Sequence, residues 1–308
     1  MDSDIQLIVK LKQYRSSIFR SHAEYILKSY LQDWVARIID FKPSSPVDYT
    51  AIVIEDRVDD LIKFSIYNTL IMSKCKMRIV LFTTDKSYKL MQEIFKDLSN
   101  WVVIFKLNDE LNRLQEINRT KYNKILKNQT FWKMLPTRNI LIFQTDALLI
   151  EPIDYSMFKY DYVGAPFAVN KHLSTAFPDL SNNFQNKKKD RWITQVFNHK
   201  EPIPDNVVLG NGGLSIRNRD VMLEICKKEP SYENENEDIY FSRLINKYSK
   251  NIVPFEIAQR FSCECSYSKS IGSHASYLYL TKEQQAEIYE RHIKHIFALL
   301  DLSITQMI

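Results

Sequence analysis

Four stretches of the sequence place acidic, amide or histidine side chains where they could do chemistry. The first is Gln144-Thr145-Asp146, directly after the apolar run Asn-Ile-Leu-Ile-Phe. A carboxylate there can simply cap the following turn. At the carboxyl end of a buried strand it is equally a natural ligand for a hard cation, usually one shared with substrate phosphates. The second is Glu237-Asp238, which closes the run Glu-Asn-Glu-Asn-Glu-Asp and opens a helical pattern through Leu244 and Tyr248. The macrodipole alone favours acids in a first helical turn, but a carboxylate fixed there also suits a general base that meets a substrate hydroxyl. The third is His274 in Ser-Ile-Gly272-Ser-His274. Loop histidines are mostly surface residues, yet one beside a glycine in a non-helical stretch can complete a metal site. It ranks below Asp146 as a ligand.

The fourth is Gly210-Asn211-Gly212-Gly213, three of the five glycines in 308 residues. A dinucleotide fingerprint would need a third glycine where Ser215 stands, and would follow the first strand and open a helix. This cluster lies past residue 200 and runs into Leu214-Ser-Ile216, which reads as strand. No Gly-Lys-Ser or Gly-Lys-Thr occurs, which removes a P-loop. Two explanations remain: positive-φ positions in a turn or bulge between short strands, or backbone that a ligand approaches closely. Three glycines in four positions exceed the needs of one turn and favour the ligand.

Other elements must hold these residues in place. Residues 3 to 40 read as helix, with Ile26, Leu27, Tyr30, Leu31, Trp34, Val35, Ile38 and Ile39 on one face, until Pro-Ser-Ser-Pro at 43 to 46. That helix would pack on the main domain or on a partner. From Tyr49, β-rich runs at Tyr49–Glu55, Arg78–Phe82, Trp101–Lys106 and Asn139–Phe143 alternate with helical patterns near 58–74, 86–98 and 118–134. This order predicts a nucleotide-binding type of α/β sheet, with ligands beyond the strand ends Glu55-Asp56-Arg57, Thr83-Thr84-Asp85 and Gln144-Thr145-Asp146. Residues 168 to 206 are polar and aperiodic, the pattern of a functional loop or a disordered one. Trp192 inside it is a hydrophobic anchor by default and a ligand platform otherwise. Thr281-Lys-Glu-Gln284 forms a capping box before a final helix with Ile288, Ile293, Ile296, Phe297 and Leu300 on its apolar face. The expected division is a helical accessory region over 1–47, a domain over 48–280 and a packed helix over 281–308.

Composition excludes several classes. A 45% hydrophobic content spread along the chain is too high for a mainly disordered protein. No apolar run reaches the length of a membrane span, and Met-Asp-Ser-Asp does not begin like a signal peptide, so a cytoplasmic protein is expected. Cys75 and Cys226 stand alone and Cys263-Glu-Cys265 has no second pair, which predicts reduced thiols rather than zinc. The net charge of +5 is scattered apart from Lys187-Lys188-Lys189, which argues against nucleic acid as a partner.

In this order the motifs resemble those of GT-A-type glycosyltransferases, and more closely those of an uncharacterised family of glycosyltransferase-like proteins. The resemblance rests on Ala51-Ile-Val-Ile-Glu55-Asp-Arg57, Tyr122-Asn123-Lys-Ile-Leu126 with Phe131-Trp132, and Ile142-Phe-Gln144-Thr145-Asp146. It continues through Tyr160-Asp161-Tyr-Val-Gly164-Ala-Pro166, Gly210-Asn211-Gly212-Gly213-Leu-Ser-Ile-Arg217, Asn236-Glu237-Asp238-Ile-Tyr-Phe241, and Glu256-Ile-Ala258 with Arg260-Phe261, covering roughly residues 49 to 280. It implies a GT-A-like (Rossmann-like) α/β fold with a mixed central sheet, and a nucleotide-sugar donor, UDP-linked by analogy. It also implies a glycan or glycoprotein acceptor and a divalent cation, Mn²⁺ or Mg²⁺.

By that resemblance Asp146 stands for the last acid of an Asp-x-Asp motif, and His274 for the C-terminal metal-binding histidine. Glu55, Arg57, Thr83, Asn123, Gln144, Thr145, Asn211, Gly212 and Gly213 fall on the nucleotide-sugar side, and Trp192 on the acceptor side. Asp238, with Glu237 second, matches the acceptor base of a subset of inverting enzymes. Gln144 departs from the pattern where many relatives carry a second acid. That departure keeps a binding protein without catalysis in view, and a nucleotidyltransferase shares the sheet type. The N-terminal helices could also join two copies of the chain.

Overall fold

The computed structural model describes residues 2–41, 48–107, 116–166, 210–231 and 235–301. The chain begins with one long helix, α1 (Asp2–Asp40), uninterrupted by Gly or Pro. Its residues Phe19, Ala23, Ile26, Leu27, Trp34 and Ile38 recur at helical spacing and are buried in the principal hydrophobic core. The expected apolar face therefore packs within the chain, except for Ile39, which is exposed.

The sheet follows as β1 (Tyr49–Ile54), α2 (Asp60–Met72), β2 (Met77–Thr83), α3 (Asp85–Ile94) and β3 (Val102–Lys106). Next come α4 (Arg119–Leu126), α5 (Gln129–Met134), β4 (Asn139–Phe143), β5 (Ala147–Leu149) and β6 (Tyr162–Pro166). The chain then runs through β7 (Gly210–Asn218), α6 (Arg219–Lys228), α7 (Glu237–Tyr248), α8 (Phe255–Phe261), β8 (Ser262–Cys263), β9 (Gly272–His274) and α9 (Lys282–Leu300).

All four strands expected from the sequence form, within a residue or two at their ends. The single helical pattern expected over 118–134 is two helices. Asn128 ends the first, because its side chain accepts from Thr130 N–H and caps a new start.

Among the described residues the larger sheet runs β3-β2-β1-β4-β7-β6, and the smaller runs β5-β9-β8. Strands β1 to β4 are parallel, β7 is antiparallel to β4, and β6 is antiparallel to β7. The protein is thus a mixed α/β fold, as expected. Alternate residues of β1 enter different cores: Ala51 and Val53 join α1 and α2 on one face, while Ile52 and Ile54 face Phe131 and Trp132 on the other. Burial on both faces explains why β1 reads as a continuous apolar run.

Asp59 caps α2 by accepting from Leu61 and Ile62 N–H. The capping box Thr281–Gln284 opens α9 with both of its hydrogen bonds. Among the described residues no helix is long and apolar enough to cross a membrane.

Candidate functional site

The carboxyl end of β4 is where the pieces meet. Gln144 N–H donates to Gly213 O (2.8 Å) and Ala147 N–H to Gln144 O (3.0 Å), turning the chain through Thr145-Asp146 into β5. Strand β9 pairs antiparallel with β5 and sets His274 opposite Ala147. His274 Nε2 then lies 3.2 Å from Asp146 Oδ1 and 3.1 Å from Gln144 Oε1. Ala275, next in the chain, adopts a left-handed conformation (φ 47) and donates its N–H to Asp146 O at 3.1 Å. A non-glycine residue in that region costs about 1–2 kcal/mol, so strain sits directly beside the histidine.

The site's electrostatics follow from burial competing with paired charge. Burial pulls His274 down, but Asp146, Glu264 and Asp238 outweigh it and raise it to about 9. Burial pushes Asp146 up, while the charge and hydrogen bond of His274, with Arg57 beyond, leave the carboxyl below its ordinary range. On the far side of the imidazole, Nδ1 lies 3.8 Å from Glu264 Oε1 and is buried with no hydrogen-bond partner among the described residues.

The glycine cluster forms the start of β7. Among the described residues no glycine has a positive φ, so a turn does not explain it. A Cβ on Gly213 would stand 2.1 Å from His274 Nε2, and one on Gly212 would stand 1.9 Å from Glu237 Oε1. Successive strand residues point to opposite faces. One glycine therefore makes room for the histidine and its neighbour for a carboxylate. Asn211 Oδ1 accepts from Gly213 N–H at 2.7 Å and holds the stretch in shape.

The carboxylate behind Gly212 is half of a buried ion pair. Arg217 Nη1 donates to Glu237 Oε2 (2.5 Å) and Nη2 to Glu237 Oε1 (3.1 Å), both side chains being shut off from solvent. The guanidinium lies over the rings of Tyr162 and Phe241, 4.7 Å and 5.2 Å from their centroids. Both Glu237 oxygens are occupied, so this residue anchors the start of α7 to β7. Among the described residues, the carboxylate of its neighbour Asp238 accepts only a bond from Ile239 N–H. Burial first, then the charges of Glu237 and Glu264, raise Asp238 to about 7. Asn123 also serves α7, its Oδ1 accepting from Glu237 N–H (3.0 Å) and its Nδ2 donating to Asn236 Oδ1 (3.2 Å).

Beyond β1, Glu55 Oε1 accepts from Arg57 Nε (2.9 Å) and Glu55 Oε2 from Arg57 Nη2 (2.6 Å). The same Nη2 reaches Thr145 Oγ1 at 3.2 Å, tying the ends of β1 and β4 together one residue from Asp146. Thr83 is buried at the end of β2, and its hydroxyl has no hydrogen-bond partner among the described residues. Trp192 lies outside the described residues. Sequence reading missed two residues, Arg217 and Glu264. An arginine in the otherwise apolar Leu-Ser-Ile-Arg run was a signal that an acid must lie opposite it. Glu264, in a short Cys-Glu-Cys run, carried no pattern.

Among the described residues no group of three or more His, Cys, Asp and Glu side chains could by itself hold a metal ion. Asp146 Oδ1 and Gln144 Oε1 lie at the distances from Nε2 given above. Adjacent ligands of an octahedral ion with bonds of about 2.1 Å stand about 3 Å apart, a spacing that the two contacts of His274 Nε2 match.

A family model described as "Protein of unknown function (DUF5672)" matches residues 107–277, more than half of the chain. The chain belongs to this family. The DUF5672 segment contains Asp146, Arg217, Asp238, Glu264 and His274, whereas Glu55, Arg57 and α1 precede it. No curated protein matches the sequence.

Among solved structures, the mannosyltransferase PcManGT from Pyrobaculum calidifontis in complex with GDP-Man and Mn²⁺ is similar at 10% identity and TM-score 0.40, over 80% of this chain and 66% of that one. Mouse xyloside xylosyltransferase 1 in its apo form is similar at 12% identity and TM-score 0.41, over 74% and 97%. The inositol-1-phosphate CTP transferase from T. maritima is similar at 12% identity and TM-score 0.41, over 82% and 97%. The chain thus spans about two thirds of the mannosyltransferase's length.

Proposed function

We propose that the protein transfers a sugar from a nucleotide-sugar donor, UDP-linked, to a hydroxyl of a glycan or glycoprotein acceptor, with inversion at the anomeric carbon. The observation that carries this reading is the pairing of two differently tuned carboxylates on one site. Asp146 is kept ionised beside His274, and Asp238 is raised to about 7 at the start of α7. Environments that push two acids apart suit one to hold charge and the other to move a proton.

In this reading Asp238 takes the proton from the acceptor hydroxyl. The oxygen forms its bond to the anomeric carbon as the bond from that carbon to the diphosphate oxygen breaks, and the nucleoside diphosphate leaves. A divalent cation bound by Asp146, His274 and Gln144 would supply positive charge to the departing diphosphate. Arg57, held by Glu55 and Thr145, faces the nucleotide side. Glu237 and Asn123 keep Asp238 in place by fixing the first turn of α7. Gly212 and Gly213 let the wall of the site close on its own polar side chains. The acceptor side falls to the segment that contains Trp192.

The test is a panel of nucleotide sugars with Mn²⁺ and simple glycosides, read by release of nucleoside diphosphate. Release that rises with pH through about 7 and falls about 10²- to 10⁴-fold in Asp238→Asn is the expected result. Pyrophosphate release would instead mark a nucleotidyltransferase. Gln144, an amide that already meets His274, favours a second reading as a nucleotide-sugar-binding protein without catalysis. In that case donors stabilise the protein but no donor is consumed.

A further inference from the structure

Glu264 is a buried carboxylate that the steps above do not use. It follows β8, between the buried thiols of Cys263 and Cys265, and so arrives on the site from a different element than any other acid there. It is the polar group that faces His274 Nδ1, at ion-pair distance (3.8 Å), while Nε2 faces Asp146 and Gln144. Burial raises Glu264 above the ordinary carboxylate range, while the charge of His274 and a hydrogen bond from Asn211 act the other way. The Gly-Asn-Gly-Gly stretch thus leaves room for the imidazole at Gly213 and meets Glu264 through Asn211.

The partners of Nε2 are both acceptor oxygens, so a bare imidazole must carry a proton on Nε2 and must give that proton up when a cation binds there. A buried Nδ1–H with no acceptor costs about 1–3 kcal/mol. A carboxylate opposite Nδ1 keeps the second proton in place in both states.

We infer that Glu264 is the positioning residue of His274, closing from its 3.8 Å ion-pair distance to accept the Nδ1–H so that Nε2 is directed at the oxygens of Asp146 and Gln144, where a divalent cation binds. The inference rests on the proposed cation site. Carboxylates that orient a metal-binding histidine in this way typically contribute 10- to 100-fold in metal affinity.

The experiment uses the full chain in three forms: wild type, Glu264→Met, which keeps bulk and removes the acceptor, and Glu264→Gln, which keeps an acceptor and removes the charge. Mn²⁺ affinity is measured by electron paramagnetic resonance. The His274 ring protons are read in cation-free protein by ¹⁵N–¹H NMR, assigned by comparison with His274→Gln. Thermal melts establish that each variant is folded.

Mn²⁺ affinity should fall about 10- to 100-fold in Glu264→Met and recover in part in Glu264→Gln. The Nδ1 proton resonance should move in Glu264→Met. Unchanged affinity and unchanged ring resonances in Glu264→Met would overturn the inference while leaving the cation site standing. So would an equal loss in both variants, which would make charge and not the hydrogen bond responsible. If wild type takes up no Mn²⁺, the cation reading fails, and the NMR arm still decides whether Glu264 holds the ring.

Discussion

Two buried histidine sites lie at opposite ends of β5 and have opposite electrostatics. His274 is surrounded by Asp146, Glu264 and Asp238 and is raised to about 9. His22 on α1 and His292 on α9 meet each other, with His22 Nε2 2.9 Å from His292 Nδ1, and burial lowers His22 to about 4 and His292 well below its ordinary value. Asn68 fixes the tautomers of this second pair. Its Oδ1 accepts from Leu149 N–H (2.9 Å) and its Nδ2 donates to Leu149 O (3.0 Å), so the Nδ2 that faces His292 Nε2 at 2.8 Å must be donating. His292 therefore keeps its proton on Nδ1 and gives it to His22. The contacts in this chain from α2 to α9 to α1 are hydrogen bonds between neutral groups, which is how a buried polar group stabilises a fold. The His274 cluster has three carboxylates and a ring nitrogen with no hydrogen-bond partner among the described residues, more charge than packing requires, and such a surplus is characteristic of functional sites.

The most severe way to break the contrast is at the adjacent glycines. Gly213→Val puts side-chain atoms where the His274 ring stands, and the ring can swing away, so Mn²⁺ binding and transfer should both be lost while the protein melts as a folded unit. Gly212→Val meets the Arg217–Glu237 pair, which is sealed in and cannot move. That variant should fail to fold, because a buried pair forced apart costs about 3–5 kcal/mol. If Gly212→Val melts normally and Gly213→Val unfolds, the roles given to the two positions are reversed.

On the charged side, Asp238→Asn should lower kcat by about 10²- to 10⁴-fold with donor affinity intact. Steady-state kinetics on the donor found in the panel would show this. A matched fall in donor affinity would move Asp238 from the acceptor to the donor.

How much of this contrast could be read from the sequence differs between its two halves. Strands β1 to β4 and helix α9 follow from period and capping residues, and Asp146, Asp238 and His274 stand out because each ends or begins an element. Those are local signals. His22, Asn68 and His292 sit on helical patterns where nothing local tells a buried histidine from an exposed one; only the packing of α1 on α2 and α9 brings them together. Arg217 and Glu237 are twenty residues apart, and Glu264, just after β8, meets His274 at the end of the parallel strand β9, so their meaning lies in tertiary proximity. The glycines were read as room for a ligand. The space is real, but it is taken by the protein's own Glu237 and His274.

The two sites should also act on stability at opposite ends of the pH scale. His22 has its folded value below its unfolded value, so its contribution is complete above about pH 6.5 and is lost as pH falls toward 4. A shift of that size corresponds to about 3 kcal/mol. His274 in cation-free protein is shifted upward, so its contribution is complete below about 6.5 and is lost as pH rises through about 9. Urea melts across this range should show both flanks. His292→Leu, although less stable throughout, should flatten the acid flank and spare the alkaline one, and His274→Gln should do the reverse. One variant flattening both flanks would mean the sites are coupled through β5 instead of independent.

The smallest effect expected is at Ala275, and it separates strain from charge. The residue holds a left-handed conformation directly after His274, where Gly has no penalty. Ala275→Gly should therefore stabilise the fold by about 1 kcal/mol in urea melts. If the strained turn also holds the ring toward Asp146, the gain in stability should come with a weaker Mn²⁺ affinity, as preorganisation of the imidazole is lost. Greater stability with unchanged affinity would assign the positioning of His274 wholly to the β5–β9 ladder and Glu264, and would leave the strain at Ala275 as a consequence of chain direction alone.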